Sequence, residues 1–358
     1  MESLKILIAG IGGMGRSHAL ACHAHPGFDI VGLVNRSAIE LPPELTGYPM
    51  HHDFPRALES IDCDAVSINT YSDTHADYAV AALERGRHVF LEKPMATTVA
   101  DAERVVAAAR ASGKKLVVGY ILRHHPSWVR LIEEARALGG PYVFRLNLNQ
   151  QSSGMTWETH RRLMESTSPI VDCGVHYVDV MCQITDAAPV AVSGMGARLT
   201  DDIAADMYNY GHLQVRFEDG SVGWYEAGWG PMMSESAFFV KDIVSPNGAV
   251  SIVVEEGAAS ADIGTHTKTS RIRVHRAALD TAGRFVERDT LLDMSDEPDH
   301  QGLCDREQAY LYRAITEDLD LARHHRDAVE SLRVCLAADE SVRTGRTVEL
   351  ARDASRRP

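Results

Sequence analysis

Three short segments of the chain carry side chains that could act together in catalysis. The sequence GIGGMG occupies residues 10–15, EKP occupies residues 92–94, and Asp172 and His176 follow in the middle of the chain. A glycine-rich turn can hold phosphates, a lysine can stabilise a developing alkoxide, and a histidine can accept a proton. In this order the three segments supply the parts that a nicotinamide-dependent dehydrogenase of alcohols needs.

The glycine-rich segment stands between a predicted strand, Leu4–Ala9, and a segment with helical spacing. In this context Gly10 permits a tight turn, Gly12 lets the backbone approach a pyrophosphate, and Gly15 permits close packing of helix and strand. The helix that starts at Gly13 and Met14 directs amides and its positive end toward the phosphates. Without this context, the same glycines would be interpreted as a flexible loop.

The choice of dinucleotide is made at the end of the second predicted strand, where Asn35, Arg36 and Ser37 stand. Enzymes that bind NAD usually place Asp or Glu there, on the ribose diol. A guanidinium can pair with the 2′-phosphate of NADP, and Asn and Ser can donate hydrogen bonds to it. We therefore predict a preference for NADP. The alternative is that Arg36 stacks on adenine while NAD binds.

Lys93 follows an apolar run, His88–Leu91, that predicts a buried strand. The lysine would thus lie at the carboxyl end of a strand, where open α/β sheets bind ligands. Pro94 restricts the conformation of the residue before it, which favours a reproducible direction for Lys93. The alternative is a solvated lysine in a loop.

Asp172, His176 and Asp179 are spaced i,i+4 and i,i+3, which places them on one helical face. Gly174 weakens such a helix, as expected where another backbone or a ligand comes close. A histidine base with a nearby carboxylate fits proton transfer. Three alternatives stay open, namely a surface ion pair, a helix cap at Asp172, and a metal site that would lack a clear further ligand.

Composition limits the classes of partner. The length of 358 residues indicates two domains. The formal net charge of −14 argues against a nucleic-acid partner, because a polyanion would be repelled. No apolar run is long enough to span a bilayer, and no C-x-x-C pair indicates zinc or a disulfide framework. We expect a cytoplasmic protein with a small polar or neutral ligand. The cysteines are predicted to be reduced core thiols: Cys22, Cys63, Cys173, Cys182, Cys304 and Cys335.

The first part of the chain alternates short apolar runs with helix-length amphipathic segments, the pattern of a doubly wound parallel sheet. From about residue 123 the pattern changes to short strands with hairpin turns, of which Glu218-Asp219-Gly220-Ser221 is the clearest. Two helices, about Gly302–Leu319 and Asp327–Thr344, are predicted at the end, joined by an exposed turn at His324 and His325. A mobile loop is predicted at residues 255–267. We predict domains at 1–122 and 123–358.

These features together resemble the Gfo/Idh/MocA oxidoreductases, a family that includes glucose-fructose oxidoreductase and inositol dehydrogenase. The resemblance rests on the glycine turn, on EKP, and on an Asp-x-x-x-His pattern with a further Asp three residues later; the RHHP segment at 123–126 matches the family's interdomain link. It covers nearly the whole chain. It implies an N-terminal Rossmann domain and a C-terminal α+β domain on a large, open-faced, mostly antiparallel sheet.

The resemblance also implies site residues and an activity. Lys93, Asp172 and His176 would be the catalytic trio, acting on a secondary alcohol of a sugar or cyclitol with NADP or NAD as acceptor. The chain departs from the family at Asn35, which is not acidic, and after Thr70, where a proline is often found. The predicted cofactor contacts beyond the glycine turn are Asn35, Arg36, Ser37, Thr70, Tyr71, His75, Glu92 and Lys93. The predicted substrate contacts are Lys93, Arg123, Asn149, Trp157, Asp172 and His176.

Two features of these expectations stay open. Asn149 could instead alternate with Asn147 and Gln151 on the solvent face of a strand. The function could also be transient redox at C3 of a glycoside followed by cleavage, or dinucleotide sensing by a non-catalytic regulator. A homodimer or homotetramer formed through the C-terminal sheet is expected from the resemblance.

Overall fold

The computed structural model describes residues 3–236, 239–253, 259–261 and 269–351. The chain divides into two compact units, the first formed by Met1–Ile121 with His300–Val329 and the second by Leu122–Asp299 with Glu330–Pro358. The first boundary lies next to the predicted one. We predicted that residues 123–358 form one domain, and the structure differs by placing His300–Val329 in the first unit. The predicted loop at 255–267 lies, apart from 259–261, outside the described residues.

The first unit is built on a parallel six-stranded sheet in the order β3-β2-β1-β4-β5-β6. This is the strand order of the Rossmann fold, with its change of direction between β1 and β4. The strands are β1 (Leu4–Ala9), β2 (Phe28–Val34), β3 (Met50–His51), β4 (Ala65–Ile68), β5 (His88–Leu91) and β6 (Leu116–Val118). The helices between them are α1 (Gly13–Ala24), α2 (Phe54–Ser60), α3 (Ser72–Glu84) and α4 (Val99–Ser112).

Local sequence accounts for the bounds of these elements. The α4 helix starts where the Thr98 hydroxyl accepts a hydrogen bond from the Asp101 amide at 3.1 Å, and it ends at Gly113 in the left-handed region with φ +67°. Strand β4 is buried over its whole length, as expected near the centre of a parallel sheet covered on both faces. Residue patterning therefore sets the layers of the first unit.

The segment His300–Val329 joins the first unit because it completes its hydrophobic core. Helix α8 (His300–Thr316) contributes Leu311 and Ala314 to the cluster that includes Ile6 and Ile8 of β1. The next helix, α9 (Ala322–Thr344), begins in this unit. Burial of these apolar side chains against β1 stabilises the first unit.

The start of α9 corrects the prediction of an exposed turn at His324 and His325. Both histidines are buried, 5% and 7% exposed. His324 Nε2 accepts from the Val118 amide at 2.8 Å, and His325 Nε2 lies 2.8 Å from the Leu116 carbonyl. The prediction was wrong because β6 is an edge strand whose free backbone groups need partners.

The second unit is built on a nine-stranded sheet in the order β14-β13-β12-β11-β7-β10-β9-β8-β15. Neighbouring strands are antiparallel except for β7 and β10, which are parallel. The strands are β7 (Val143–Gln151), β8 (Pro189–Ala197), β9 (Tyr210–Phe217), β10 (Val222–Gly230), β11 (Lys241–Ser245), β12 (Gly248–Val253), β13 (Arg271–Arg276), β14 (Thr290–Asp293) and β15 (Val348–Glu349). The helices are α5 (Pro126–Leu138), α6 (Gly154–Leu163) and α7 (Pro169–Thr185).

The predicted turn at residues 218–221 is confirmed, because it joins antiparallel β9 and β10 with Gly220 at φ +86°. The α7 helix packs on one face of this sheet, where Tyr177 stacks on Tyr225 of β10 with ring centroids 4.7 Å apart. Within the described residues, no helix is long and apolar enough to cross a membrane. The fold class is therefore a Rossmann sheet followed by a mixed, mostly antiparallel sheet, as predicted.

Candidate functional site

The glycine turn at residues 10–15 combines two tight positions with two open ones. A Cβ atom on Gly10, at φ +82°, would lie 2.4 Å from the Asn69 carbonyl oxygen, and one on Gly15 would lie 1.8 Å from that of Gly10. At Gly12 and Gly13 nothing lies within 4 Å of such an atom. Two glycines are thus required by packing, and two leave space in front of the backbone. This is the shape that a pyrophosphate needs.

The start of α1 leaves its amides available. Gly12 is the N-cap, no side chain caps it, and the first turn has no acidic residue. The first amides of a helix have no acceptor inside the helix, and the helix dipole makes this end positive. Gly13 and Met14 therefore present donors to an anion. A dinucleotide fits this turn, and the residues that would hold its phosphates are those at 12–15.

The loop after β2 is shaped by Asn35. Its side-chain oxygen accepts from the Ile11 amide at 3.1 Å, and its amide group donates to the Ser37 carbonyl at 2.7 Å. Asn35 therefore joins the glycine turn to the β2 loop, while Arg36 and Ser37 are exposed. Sequence reasoning missed Arg16, whose guanidinium donates to the Glu40 carbonyl at 3.0 Å across the same loop. Its position one residue after Gly15 was the available signal.

The segment after β4 carries two residues that we predict to contact the cofactor, one exposed and one buried. Tyr71 is 44% exposed, whereas His75 is 1% exposed. The ring nitrogens of His75 lie 2.8 Å from the Pro94 carbonyl and 3.0 Å from the Thr70 carbonyl. Burial lowers the pKa of His75, although these two carbonyls oppose the effect. The side chain of His75 thus joins the loops after β4 and β5, and its contact with the cofactor stays a prediction.

The carboxylate of Glu92 is buried and accepts hydrogen bonds from the protein. Its two oxygens accept from His18 Nε2 at 2.7 Å and from the Lys93 amide at 3.0 Å, and it is 5% exposed. Both oxygens of Glu92 thus face protein donors, and its contact with the cofactor stays a prediction. Lys93 is half-buried directly after this carboxylate, at the carboxyl end of β5.

Helix α7 carries the predicted proton-transfer residues of the second unit. Asp172 is 8% exposed, and His176 is half-buried one turn later. Gly174 lies between them, and a Cβ atom there would lie 3.1 Å from the Tyr225 ring and 3.2 Å from the Cys335 sulfur. The close neighbours of Gly174 are thus side chains, not the backbone or ligand that we expected. The glycine lets α7 pack tightly on β10.

The start of α7 is held by a buried polar cluster. Ser168 accepts from the Val171 amide at 3.1 Å and donates to Asp339 at 2.8 Å, and the Tyr208 hydroxyl donates to the same carboxylate. Burial raises the pKa of Asp339, although these two donors oppose the effect. Burial also raises the pKa of Tyr208, so its hydroxyl remains a donor. The helix that carries Asp172 therefore begins at a fixed point.

Asp179 pairs with Arg123. The guanidinium donates twice to the carboxylate, at 2.8 Å and 2.5 Å, and Gln183 donates at 2.9 Å. Asp179 is 0% exposed, so this is a buried bidentate pair. The guanidinium of Arg123 is therefore held by Asp179, and its contact with a substrate stays a prediction.

Asn149 and Trp157 lie on β7 and α6 and bond to acidic side chains of the second unit. Asn149 is on β7 in register with Gly228, two residues from Glu226, to which its amide donates. Tyr225 faces α7, so residues 226 and 228 of β10 and their partner Asn149 face the other side of the sheet. Trp157 is 8% exposed on α6 and donates to Asp202 at 3.4 Å. Asn149 therefore lies on the face of the sheet opposite α7, and its contact with a substrate stays a prediction.

A metal at α7 is not supported by geometry. In the described ranges, the group of three ligand-type residues with atoms within 4.8 Å of one another is His18, Cys304 and Glu307 of the first unit. Both nitrogens of His18 already have partners, since Nδ1 lies 3.0 Å from the Gln308 amide and Nε2 lies 2.7 Å from Glu92. This group therefore fits a hydrogen-bonded core better than a metal site.

Comparison with known proteins assigns both units. Residues 4–120 match the family described as oxidoreductase family, NAD-binding Rossmann fold, and residues 129–260 match the GFO/IDH/MocA C-terminal domain. An inositol 2-dehydrogenase from Salmonella typhimurium is 29% identical over 187 residues, which is 50% of this chain and 54% of the relative. The alignment thus spans about half of that relative's length.

Two further proteins extend the comparison. The 4-carboxy-2-hydroxymuconate-6-semialdehyde dehydrogenase of a Sphingobium species is 33% identical over 169 residues, 44% of this chain and 54% of the relative. The crystal structure of GenD2 from gentamicin A biosynthesis, in complex with NAD, has a TM-score of 0.77 at 21% identity and covers 98% of this chain and 97% of its own. This last similarity concerns the fold. The two matching domain families show that the chain belongs to the Gfo/Idh/MocA oxidoreductase family.

Proposed function

We propose that the chain is an NAD(P)-dependent dehydrogenase that oxidises a secondary alcohol of a sugar or cyclitol. The observation that carries the proposal is the uncapped start of α1, where Gly12 and Gly13 leave open space before free helix amides. This start lies at the switch point of a Rossmann sheet, the expected place for a dinucleotide. The helix α7, with a histidine and a carboxylate one turn apart, supports the chemical half of the proposal.

The proposed roles follow the movement of charge. Oxidation of an alcohol removes a proton from oxygen and a hydride from carbon, so negative charge builds on the oxygen. His176 accepts the proton, since a neutral imidazole ionises near working pH. Lys93 stabilises the developing alkoxide, and Asp172 orients the substrate or the imidazole. The nicotinamide, when bound, supplies the hydride acceptor. In the reverse direction His176 donates the proton to a ketone.

We propose NADP as the preferred cofactor, with NAD as the alternative. No carboxylate stands at the end of β2, and the guanidinium of Arg36 is exposed there, with Arg16 bonded across the same loop. A charge-assisted pair with the 2′-phosphate is worth about 1.5–3 kcal/mol, or roughly 10- to 100-fold in affinity. Arg36→Ala should therefore lose that factor in kcat/KM for NADP and leave NAD unaffected. The matched control is Arg56→Ala, an exposed arginine of α2, and equal efficiency with both dinucleotides in the native protein would contradict the preference.

The remaining proposals concern partners and location. The neighbouring valines 143, 222 and 244 are 42%, 41% and 36% exposed on the outer face of the second sheet. Such an apolar group on a sheet face supports a homodimer or homotetramer formed through this sheet. We also propose a small-molecule partner, no nucleic acid, and a cytoplasmic location, which the free buried cysteines support. Light scattering at increasing protein concentration tests the oligomer.

The first experiment follows reduced-nicotinamide absorbance with NADP or NAD against hexoses, pentoses, inositols, methyl glycosides and a semialdehyde. The native protein should oxidise a sugar or an inositol, faster as the pH rises through one ionisation. His176→Ala should lower kcat by about 10³-fold while dinucleotide binding is retained. The control is His275→Ala, which removes a partly exposed histidine of β13 bonded to Asp289. A His176 variant with most of its turnover would contradict the assignment. Dinucleotide binding without turnover would favour transient redox on a glycoside or a regulator.

A further inference from the structure

A chain of buried hydrogen bonds runs through the first unit to the backbone of Lys93. The Cys22 thiol donates to the Gln308 carbonyl at 3.5 Å, and the Gln308 amide lies 3.0 Å from His18 Nδ1. His18 Nδ1 therefore accepts, and Nε2 carries the proton that is donated to Glu92 at 2.7 Å. His18 and Gln308 are both 0% exposed, so no water competes for these bonds.

Glu92 also bonds to the backbone of the next residue, Lys93. Its second oxygen accepts from the Lys93 amide at 3.0 Å. Burial raises the cost of charge on Glu92, but the hydrogen bond from His18 and the charge of Lys93 outweigh it and hold its pKa below the usual range. Glu92 is thus an ionised acceptor with one donor on each oxygen. The lysine backbone is held from the side of the core.

Glu307, beside these hydrogen bonds, has a carboxyl group whose protonation state is opposite to that of Glu92. Glu307 is 1% exposed, its Oε2 lies 4.0 Å from His18 Nε2, and neither oxygen has a hydrogen-bond partner among the described residues. Burial raises the pKa of Glu307 well above its usual range, and the charge of Glu92 adds to the effect. Two carboxyl groups with opposite protonation states leave a single charge, on Glu92, next to Lys93.

We propose that His18 and Gln308 are positioning residues, which act through Glu92 to fix the main chain of Lys93 and so the point from which its ammonium group reaches the substrate. This proposal rests on the function proposed above. A lysine side chain has many rotamers, and a fixed starting point reduces the number that miss the reacting oxygen. A displacement of about 1 Å in such a group costs roughly 100-fold in rate. Glu92, on this proposal, positions Lys93 and does not bind the cofactor.

The test compares two substitutions at one position. His18→Leu removes both hydrogen bonds, whereas His18→Gln keeps a donor for Glu92 and an acceptor for Gln308. His18→Leu should lower kcat by about 10- to 100-fold, with KM and the dinucleotide Kd changed less than about threefold, and His18→Gln should recover most of the loss. Glu307→Gln is the matched control, because an amide imitates the neutral carboxyl and should leave kcat near the native value. Equal losses in both His18 variants, or native kcat in His18→Leu, would overturn the proposal.

A second measurement needs neither substrate nor turnover. The Lys93 amide should exchange its hydrogen slowly in the native protein and at least about tenfold faster in His18→Leu. Fast exchange in the native protein would overturn the positioning role even if the dehydrogenase activity is found. Slow exchange without turnover on any substrate would instead contradict the proposed function alone. If His18→Leu does not fold, Gln308→Leu is used instead, because it removes the hydrogen bond between Gln308 and His18. It should change kcat and amide exchange in the same direction, by smaller factors.

Discussion

The helices α1 and α7 begin in opposite ways, although each carries residues that we assign to function. The α1 helix starts at Gly12 with no side-chain cap and no acidic residue in its first turn. The α7 helix starts at Ser168, whose hydroxyl caps the Val171 amide, with Pro169 and Asp172 in its first turn. One end leaves its amides for a ligand, and the other satisfies them with the protein's own groups. The start of α1 is therefore suited to bind a ligand, whereas the start of α7 is held in place by the protein.

The largest effect is expected from Gly15→Ala. Its Cβ atom would lie 1.8 Å from the Gly10 carbonyl oxygen, which belongs to the backbone and cannot move aside. We expect a loss of about 3 kcal/mol in the free energy of unfolding, together with loss of dinucleotide binding. Urea denaturation and fluorescence titration with NADPH measure the two effects. A variant of native stability would show that the turn is not packed as described.

Gly12→Ala sharpens the comparison, because it should separate binding from stability. Nothing lies within 4 Å of the added atom, and φ at Gly12 is −72°, which alanine adopts readily. The melting temperature should stay within about 2 °C, while the dinucleotide Kd rises at least about tenfold, or 1.4 kcal/mol. Thermal unfolding without ligand and titration with NADPH give the two values. Unchanged affinity would mean that the α1 start is not the phosphate site.

Ser168→Ala tests the other helix and should give the reverse result. Loss of an N-cap costs about 1 kcal/mol, and Ser168 also bonds to Asp339, so the loss should exceed that of Thr98→Ala at the exposed start of α4. Dinucleotide affinity should be native in both variants. Equal losses of stability, measured by urea denaturation, would show that the buried cluster adds nothing to the cap.

The smallest effect concerns the pH dependence of that cluster. Burial raises the pKa of Asp339 in the folded state, so the folded protein keeps a proton that the unfolded chain releases near pH 3.9. The resulting stability is full below about that pH and is lost as pH rises through the raised folded pKa. Asp339→Asn should therefore become more stable relative to the native protein as the pH rises above about 4. Urea denaturation at several pH values measures this difference, and a constant difference would exclude the linkage.

Much of the structure of the first unit could be predicted from local sequence. The strand Leu4–Ala9 and the buried strand His88–Leu91 were predicted with the observed bounds, because each is a short apolar run with a glycine or proline near its end. The roles of Gly10 and Gly15 followed from their spacing together with the strand before them and the helix after them. In contrast, the inward use of His75 and Glu92 was missed, because their partners, Pro94 and His18, are set by how loops and helices meet.

What the sequence by itself determined is the order of the elements and the chemistry available on each, since both depend on residue type and on spacing along the chain. What only the tertiary structure decided is which polar groups remain for a ligand. Arg123 was free to meet a substrate in the sequence and meets Asp179 in the fold, and Asn149 turns to Glu226 on the far face of the sheet. Gln308 joins His18 across 290 residues. Hydrogen bonds between distant segments have no local signature, because only packing brings their donors and acceptors within reach.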